Sequence, residues 1–145
     1  PQTPVIGFAG DGAFGISTNE MSSCARKEWP AISMVIFRNY QWGAEKRNSI
    51  LWFDDNFIGT ELDPELSYSK VANACGLKGV TVKTMEETPK AIPHSCEDQK
   101  KALTTFIEVI LNQELGEPFR RDAMKKPVSV AGIKKSDMKP QKSSI

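Results

Sequence analysis

The residues best suited to chemistry stand at the ends of two apolar runs near the start of the 145-residue chain. The first run, Val5 to Ala9 (VIGFA), leads into Gly10-Asp11-Gly12. The second, Ala31 to Phe37 (AISMVIF), leads into Arg38-Asn39, and Asn39 lies 28 residues after Asp11. An Asp carboxylate and an Asn amide oxygen are hard oxygen ligands. Two of them beside phosphate oxygens suit octahedral Mg²⁺, which takes few protein ligands when phosphate supplies the rest. Small Gly12 and Ala13 would let backbone N–H groups approach a diphosphate.

The same turn also fits G-x-G-x-x-G (Gly10, Gly12, Gly15), the dinucleotide fingerprint. Asp11 is the difficulty for that pattern. A carboxylate about 4 Å from a phosphate, at an effective dielectric of about 20, costs on the order of 4 kcal/mol. A divalent cation between them removes the cost. At the second strand end, where a dinucleotide site wants an acid for the ribose, the chain has Arg38-Asn39. A nicotinamide reading therefore survives only with a 2′-phosphate on Arg38.

These residues need a βαβ frame. The short apolar runs read as strands buried on both faces of a parallel sheet. Ser17-x-x-Glu20 reads as a capping box, with Met21, Cys24 and Ala25 as the buried stripe of a helix that Trp29-Pro30 ends. Arg38 to Thr60 has no clear period and is rich in aromatics, with Asp54 and Asp55; it reads as a functional loop or as one short helix around Gly43 to Asn48. Asp63-Pro64 reads as a helix start and Gly76 as its end. Gly79 to Val82 reads as a strand, Ser95 to Leu103 as a helix and Thr104 to Leu111 as a strand. The order β-α-β-loop-α-β-α-β predicts a layered α/β/α fold with a mostly parallel sheet. Ligands of such sheets bind at the carboxyl ends of the strands, where Asp11 and Asn39 fall.

Composition bounds the rest. Hydrophobic content of 39% and charged content of 26% are those of a globular protein. No apolar run is long enough for a membrane span. No secretory leader is evident, and Cys24, Cys75 and Cys96 form no CxxC pair, which points to thiols in a reducing cytoplasm. Residues 120–145 carry eight Lys or Arg and two Asp, so +6, leaving −5 on residues 1–119. This tail lacks interleaved aromatics and reads as a solvated or self-docked arm, not as a nucleic-acid grip. The expected division is a cofactor domain over 1–119, incomplete at its N-terminus, and an extended basic tail over 120–145. The abrupt start at Pro1 reads as the C-terminal piece of a longer polypeptide.

GDG at one strand end and Asn at the next resembles the diphosphate-binding domain of thiamine-diphosphate-dependent enzymes over residues 1 to about 119. The resemblance implies the fold of that domain, with thiamine diphosphate and Mg²⁺ as cofactors. It implies Asp11, Asn39 and the main-chain oxygen of Gln41 as metal ligands, with Gly10, Gly12, Ala13, Trp42 and Gly43 lining the cofactor. Many members carry two asparagines where this chain has Arg38-Asn39. The segments GDGAFGIS, FRNYQWGAEKRNSILWFDDNFIGTELDPELSYSKVANACG and ELGEPFRRDAMKKPVSVAG are similar to one acyltransferase branch of the family. That branch implies the conversion of sulfoacetaldehyde and phosphate to acetyl phosphate and sulfite. Arg38, Lys46 and Arg47 are then candidates to face a sulfonate or phosphate. The family's activating glutamate is expected outside this chain, on the pyrimidine-binding domain of a second subunit in a homo-oligomer. These 145 residues alone are expected to be inactive. An acetolactate-synthase-type enzyme and a non-catalytic module that keeps the fold are the alternatives.

Overall fold

The computed structural model describes residues 3–53, 56 and 58–113. Asp54, Asp55, Phe57 and everything from Glu114 on, including the segment ELGEPFRRDAMKKPVSVAG and the 120–145 tail, lie outside the described residues.

Four parallel strands form the sheet: β1 (Ile6–Gly10), β2 (Ser33–Arg38), β3 (Lys78–Val82) and β4 (Thr105–Ile110), in the order β1-β2-β4-β3. The helices are α1 (Asp11–Gly15), α2 (Glu20–Cys24), α3 (Gly43–Trp52), α4 (Tyr68–Ala74) and α5 (Thr88–Lys100). The expected α/β/α layering is present. Successive strand residues face opposite sides, so β2 and β4 supply two cores. Ile36 and Phe106 pack with Phe14, Met21, Tyr68 and Ala72 on one side. Val35, Ile107 and Val109 pack with Val82 on the other, against Ala91 and Ile92 of α5.

The chain divides into two compact units. One comprises residues 1–41 and 62–113 and holds the whole sheet; the other includes Trp42–Glu61. Within the second unit, the stretch that lacked a clear period contains a full helix, α3, capped by Trp42. The Trp42 N–H donates to the Thr60 carbonyl at 2.7 Å, and Lys46 pairs with Glu61.

Several boundaries differ from the expectation. The Gly10–Gly15 turn is helical from Asp11 onward. The Ser17–Glu20 capping box does not form: the Ser17 carbonyl accepts the Glu20 N–H at 2.9 Å in a turn, and α2 starts only at Glu20. The helix placed at Asp63-Pro64 begins instead at Tyr68, with Ser67 as N-cap. The Asp63 and Pro64 carbonyls are taken by the Arg38 guanidinium at 3.2 and 3.0 Å, and Asp63 Oδ1 accepts the Glu65 N–H. The helix expected from Ser95 starts at Thr88, since Pro89 suits a first turn, and it carries Pro93 inside. Gly76 does end α4. At φ +80° it follows the last turn, and the Gly76 and Leu77 N–H groups close back on the Asn73 and Ala72 carbonyls at 3.0 and 2.9 Å.

Among the described residues no helix is long and apolar enough to cross a membrane. Cys24, Cys75 and Cys96 are free and half-buried; burial and the neighbouring Glu20 push the Cys24 thiol up.

Candidate functional site

Because β1 and β2 are adjacent, with Gly10 opposite Phe37, their carboxyl ends deliver Asp11 and Asn39 to one place. Asp11 is 2% exposed. Its Oδ2 accepts the Tyr40 N–H at 2.8 Å and its Oδ1 accepts the Gly12 N–H at 2.9 Å. Its own carbonyl accepts the Tyr68 hydroxyl at 3.1 Å. Burial, together with the charges of Asp11 and Glu108, raises the Tyr68 phenol above its ordinary value despite Arg38. Among the described residues no Lys or Arg pairs with Asp11. A buried carboxylate with two N–H donors and no cation is electrostatically incomplete.

The Asn39 amide lies 3.1 Å from the Gln41 carbonyl oxygen and 3.2 Å from Asp11 Oδ1. With its nitrogen toward them the amide donates to both; with its oxygen toward them the three oxygens call for a cation. Oxygens on neighbouring vertices of an octahedron with bonds of 2.0–2.1 Å are about 2.9 Å apart. The two Asn39 contacts are close to that spacing. Without a cation, a half-turn of the amide would convert both contacts to hydrogen bonds. Among the described residues there is no cluster of three or more His, Cys, Asp or Glu side chains. One carboxylate, one amide and one carbonyl are the oxygen donors that suit a hard cation.

Gly10 caps α1 with ordinary extended backbone, φ −78° and ψ 156°. Its chain neighbours aside, a Cβ there would meet no atom of the described residues within 4 Å. Neither backbone strain nor internal packing calls for glycine at this position. Gly12 is half-buried and Ala13 exposed beside it. Trp42 and Gly43 belong to the second unit, where they form the N-cap and first residue of α3.

Arg38 overturns its expected role. It is 5% exposed, and Nη1 donates to Glu108 Oε1 at 2.6 Å. Its other nitrogen binds the Asp63 and Pro64 carbonyls, and its guanidinium lies 4.4 Å from the centre of the Tyr40 ring. Buried and with three of its N–H groups engaged inside the protein, it presents no open fork to a sulfonate or to a nucleotide 2′-phosphate. His94, exposed on α5, bonds the Lys90 carbonyl through Nδ1 at 2.6 Å.

Glu108 is the residue that the sequence reading missed. At 1% exposure it is among the most buried side chains. Besides Arg38 it receives the Ser67 and Ser69 hydroxyls at 2.8 and 2.9 Å, and the Tyr68 and Ser69 N–H groups at 3.2 and 3.3 Å. Burial alone would raise its carboxyl; these bonds from the first residues of α4 outweigh that and hold it below the usual range. The available signal was a single charge inside the apolar run TTFIEVIL.

Residues 1–109 match the family described as "Thiamine pyrophosphate enzyme, C-terminal TPP binding domain". The chain is 69% identical over 142 residues to "Probable sulfoacetaldehyde acetyltransferase" of Rhizobium meliloti (strain 1021), covering 98% of this chain and 24% of that protein. It is 64% identical over 141 residues to the sulfoacetaldehyde acetyltransferase of Roseovarius nubinhibens, covering 97% of this chain and 23% of that protein. The chain thus spans about a quarter of the length of these curated relatives. Among solved structures, benzoylformate decarboxylase from Polynucleobacter necessarius superposes with a TM-score of 0.66 at 26% identity, over 78% of this chain and 20% of that one.

Proposed function

Because the chain belongs to the thiamine pyrophosphate enzymes through their C-terminal TPP binding domain, we propose that it is the cofactor-binding portion of a sulfoacetaldehyde acetyltransferase. The full-length protein would convert sulfoacetaldehyde and phosphate to acetyl phosphate and sulfite. The observation that supports the reading is the convergence of the Asp11 carboxylate, the Asn39 amide and the Gln41 carbonyl at the adjoining ends of β1 and β2.

Asp11 Oδ1, Asn39 Oδ1 and the Gln41 carbonyl would hold Mg²⁺, and the open space over Gly10, with Gly12 and Ala13 beside it, would admit the diphosphate. Trp42 and Gly43 follow the third ligand in the chain and would line the cofactor. When bound, thiamine diphosphate supplies a carbon nucleophile and an electron sink for acyl transfer. The chain's own residues bind and orient it. The Tyr40 and Gly12 N–H groups fix the Asp11 carboxylate so that one oxygen faces Asn39. The activating carboxylate and the pyrimidine-binding surface would come from another domain of a homo-oligomer.

The choice of branch is supported by the extent of identity. The match to the acetyltransferase of Rhizobium meliloti runs over 142 residues, well past residue 109, where the family match stops. Identity to the acetolactate synthase catalytic subunit of Saccharomyces cerevisiae is 32% over 88 residues, which weighs against an acetolactate-synthase-type activity.

The test uses the full-length protein. Phosphate-dependent sulfite release from sulfoacetaldehyde is expected, and acetolactate formation from pyruvate is not; the reverse result would reject the assignment. In Asp11→Asn, Mg²⁺-dependent thiamine diphosphate binding should weaken by two orders of magnitude or more, since even the outer partners of metal ligands are worth about 10–100-fold. Unchanged Mg²⁺ dependence would reject the metal role.

A further inference from the structure

The turn that bears the metal ligands is held from beneath. Tyr40, between Asn39 and Gln41, adopts a left-handed backbone at φ +61°. A non-glycine residue enters that region only when its surroundings impose it. Three contacts do so. The Tyr40 N–H is bound by Asp11 Oδ2 at 2.8 Å, and its carbonyl accepts the Leu62 N–H at 2.8 Å. Its ring lies over the Arg38 guanidinium, 4.4 Å from carbon to ring centre.

Arg38 cannot drift from under that ring. Glu108 holds one nitrogen, the Asp63 and Pro64 carbonyls hold another, and the Tyr68 ring lies 6.0 Å away on the side chain's flank. Glu108 is in turn fixed by Ser67, the N-cap of α4, and by Tyr68 and Ser69 of its first turn. A continuous chain of contacts therefore runs from the start of α4 through Glu108 and Arg38 to the ring of Tyr40. It ends at the residue flanked by Asn39 and Gln41.

We infer that Arg38, locked by Glu108, is a positioning residue that acts through the face of Tyr40 to keep the Asn39 amide and the Gln41 carbonyl aimed at a common divalent cation. Arg38 touches neither cation nor cofactor. This inference rests on the metal reading above. It turns the departure from a paired asparagine, at position 38, into a device: the guanidinium supports the turn from the protein interior. A lysine would not replace it, because one ammonium lacks the planar fork that reaches Glu108 and two carbonyls while lying flat on a ring.

The experiment titrates Mg²⁺ into the full-length apoprotein with thiamine diphosphate present, and follows cofactor binding by circular dichroism. Tyr40→Leu removes the ring face and should raise the half-saturating Mg²⁺ concentration on the order of tenfold, the equivalent of one desolvated cation–π contact. Arg38→Lys should shift it in the same direction. Tyr40→Phe keeps the face and should titrate like the wild type. Asp11→Asn is run beside them. If Asp11→Asn shifts the titration while Tyr40→Leu does not, the positioning role is overturned and the metal site stands. If Tyr40→Phe is impaired as much as Tyr40→Leu, the ring face is not the carrier and the inference is likewise overturned. If Asp11→Asn leaves the titration unmoved, the metal reading fails and this inference falls with it.

Discussion

Replacing Glu108 by glutamine changes the side chain's charge while keeping its shape, and the structure specifies what that should cost. The carboxylate accepts five hydrogen bonds within 3.3 Å, from Arg38, two serine hydroxyls and two backbone N–H groups. The glutamine amide offers one acceptor oxygen and turns an NH₂ toward donors. The serine hydroxyls can rotate to accept it; the Ser69 N–H and the Arg38 charge cannot adapt. Arg38 and Glu108 side chains are 6% and 1% exposed, so the guanidinium is left unpaired away from water. Breaking a buried pair in this way costs about 3–5 kcal/mol. The amides of β4 and its neighbour β2 should then exchange with deuterium roughly 10²- to 10³-fold faster in the full-length variant, with each 1.4 kcal/mol counting tenfold. Mass-spectrometric exchange of peptides covering Ser33–Arg38 and Thr105–Ile110 reads this directly. An acceleration of about fivefold or less would equal a surface ion pair and refute the reasoning. The same pair predicts a pH signature. A carboxyl held below its ordinary value adds stability that is complete above the unfolded value, about 4.3. That stability is lost as pH falls through the lower folded value. Wild-type protection of β4 should therefore decline in acid below about pH 4, and Glu108→Gln should lack that part of the decline.

Two further substitutions separate packing from binding. A methyl at Gly79 would sit 1.9 Å from the Ser69 carbonyl oxygen and 2.6 Å from its carbon, so Gly79→Ala must push α4 off β3. The cost should reach or exceed about 1–3 kcal/mol, seen as a lowered thermal midpoint of the full-length protein; an unchanged midpoint would contradict the close approach. Gly10→Ala should leave that midpoint unchanged, since its methyl meets nothing among the described residues and its backbone is ordinary. It should nevertheless weaken thiamine diphosphate binding about tenfold or more, or 1.4 kcal/mol; calorimetry showing wild-type affinity would remove Gly10 from the cofactor surface.

Much of this protein was legible in one dimension because its signals are local. Short apolar runs bounded by Gly, Pro and polar clusters mark strands, and their alternation with helical stripes implies a parallel sheet. Gly10-Asp11-Gly12 after one run and Asn39 after another mark residues that the fold brings together, because the ends of adjacent parallel strands share one edge. Gly76 ends α4 as its position suggested. Helix starts were less legible. Asp63-Pro64 has the letters of a start, yet Arg38, distant in sequence, claims the carbonyls there. Ser17 and Glu20 have the letters of a capping box, but the chain is already helical at Asp11 and spends that stretch in turns. The role of Arg38 could not be read locally at all. A cation next to a ligand looks like an anion receptor until Glu108, 70 residues away, is seen to occupy it at 2.6 Å. Spacing and residue type thus determine which groups can bind a metal, since those are properties of the local chain. Which charges remain free to meet a ligand, and which hold the turn from within, is decided only by the tertiary fold, because pairing inside the protein depends on contacts between strands and helices far apart in sequence.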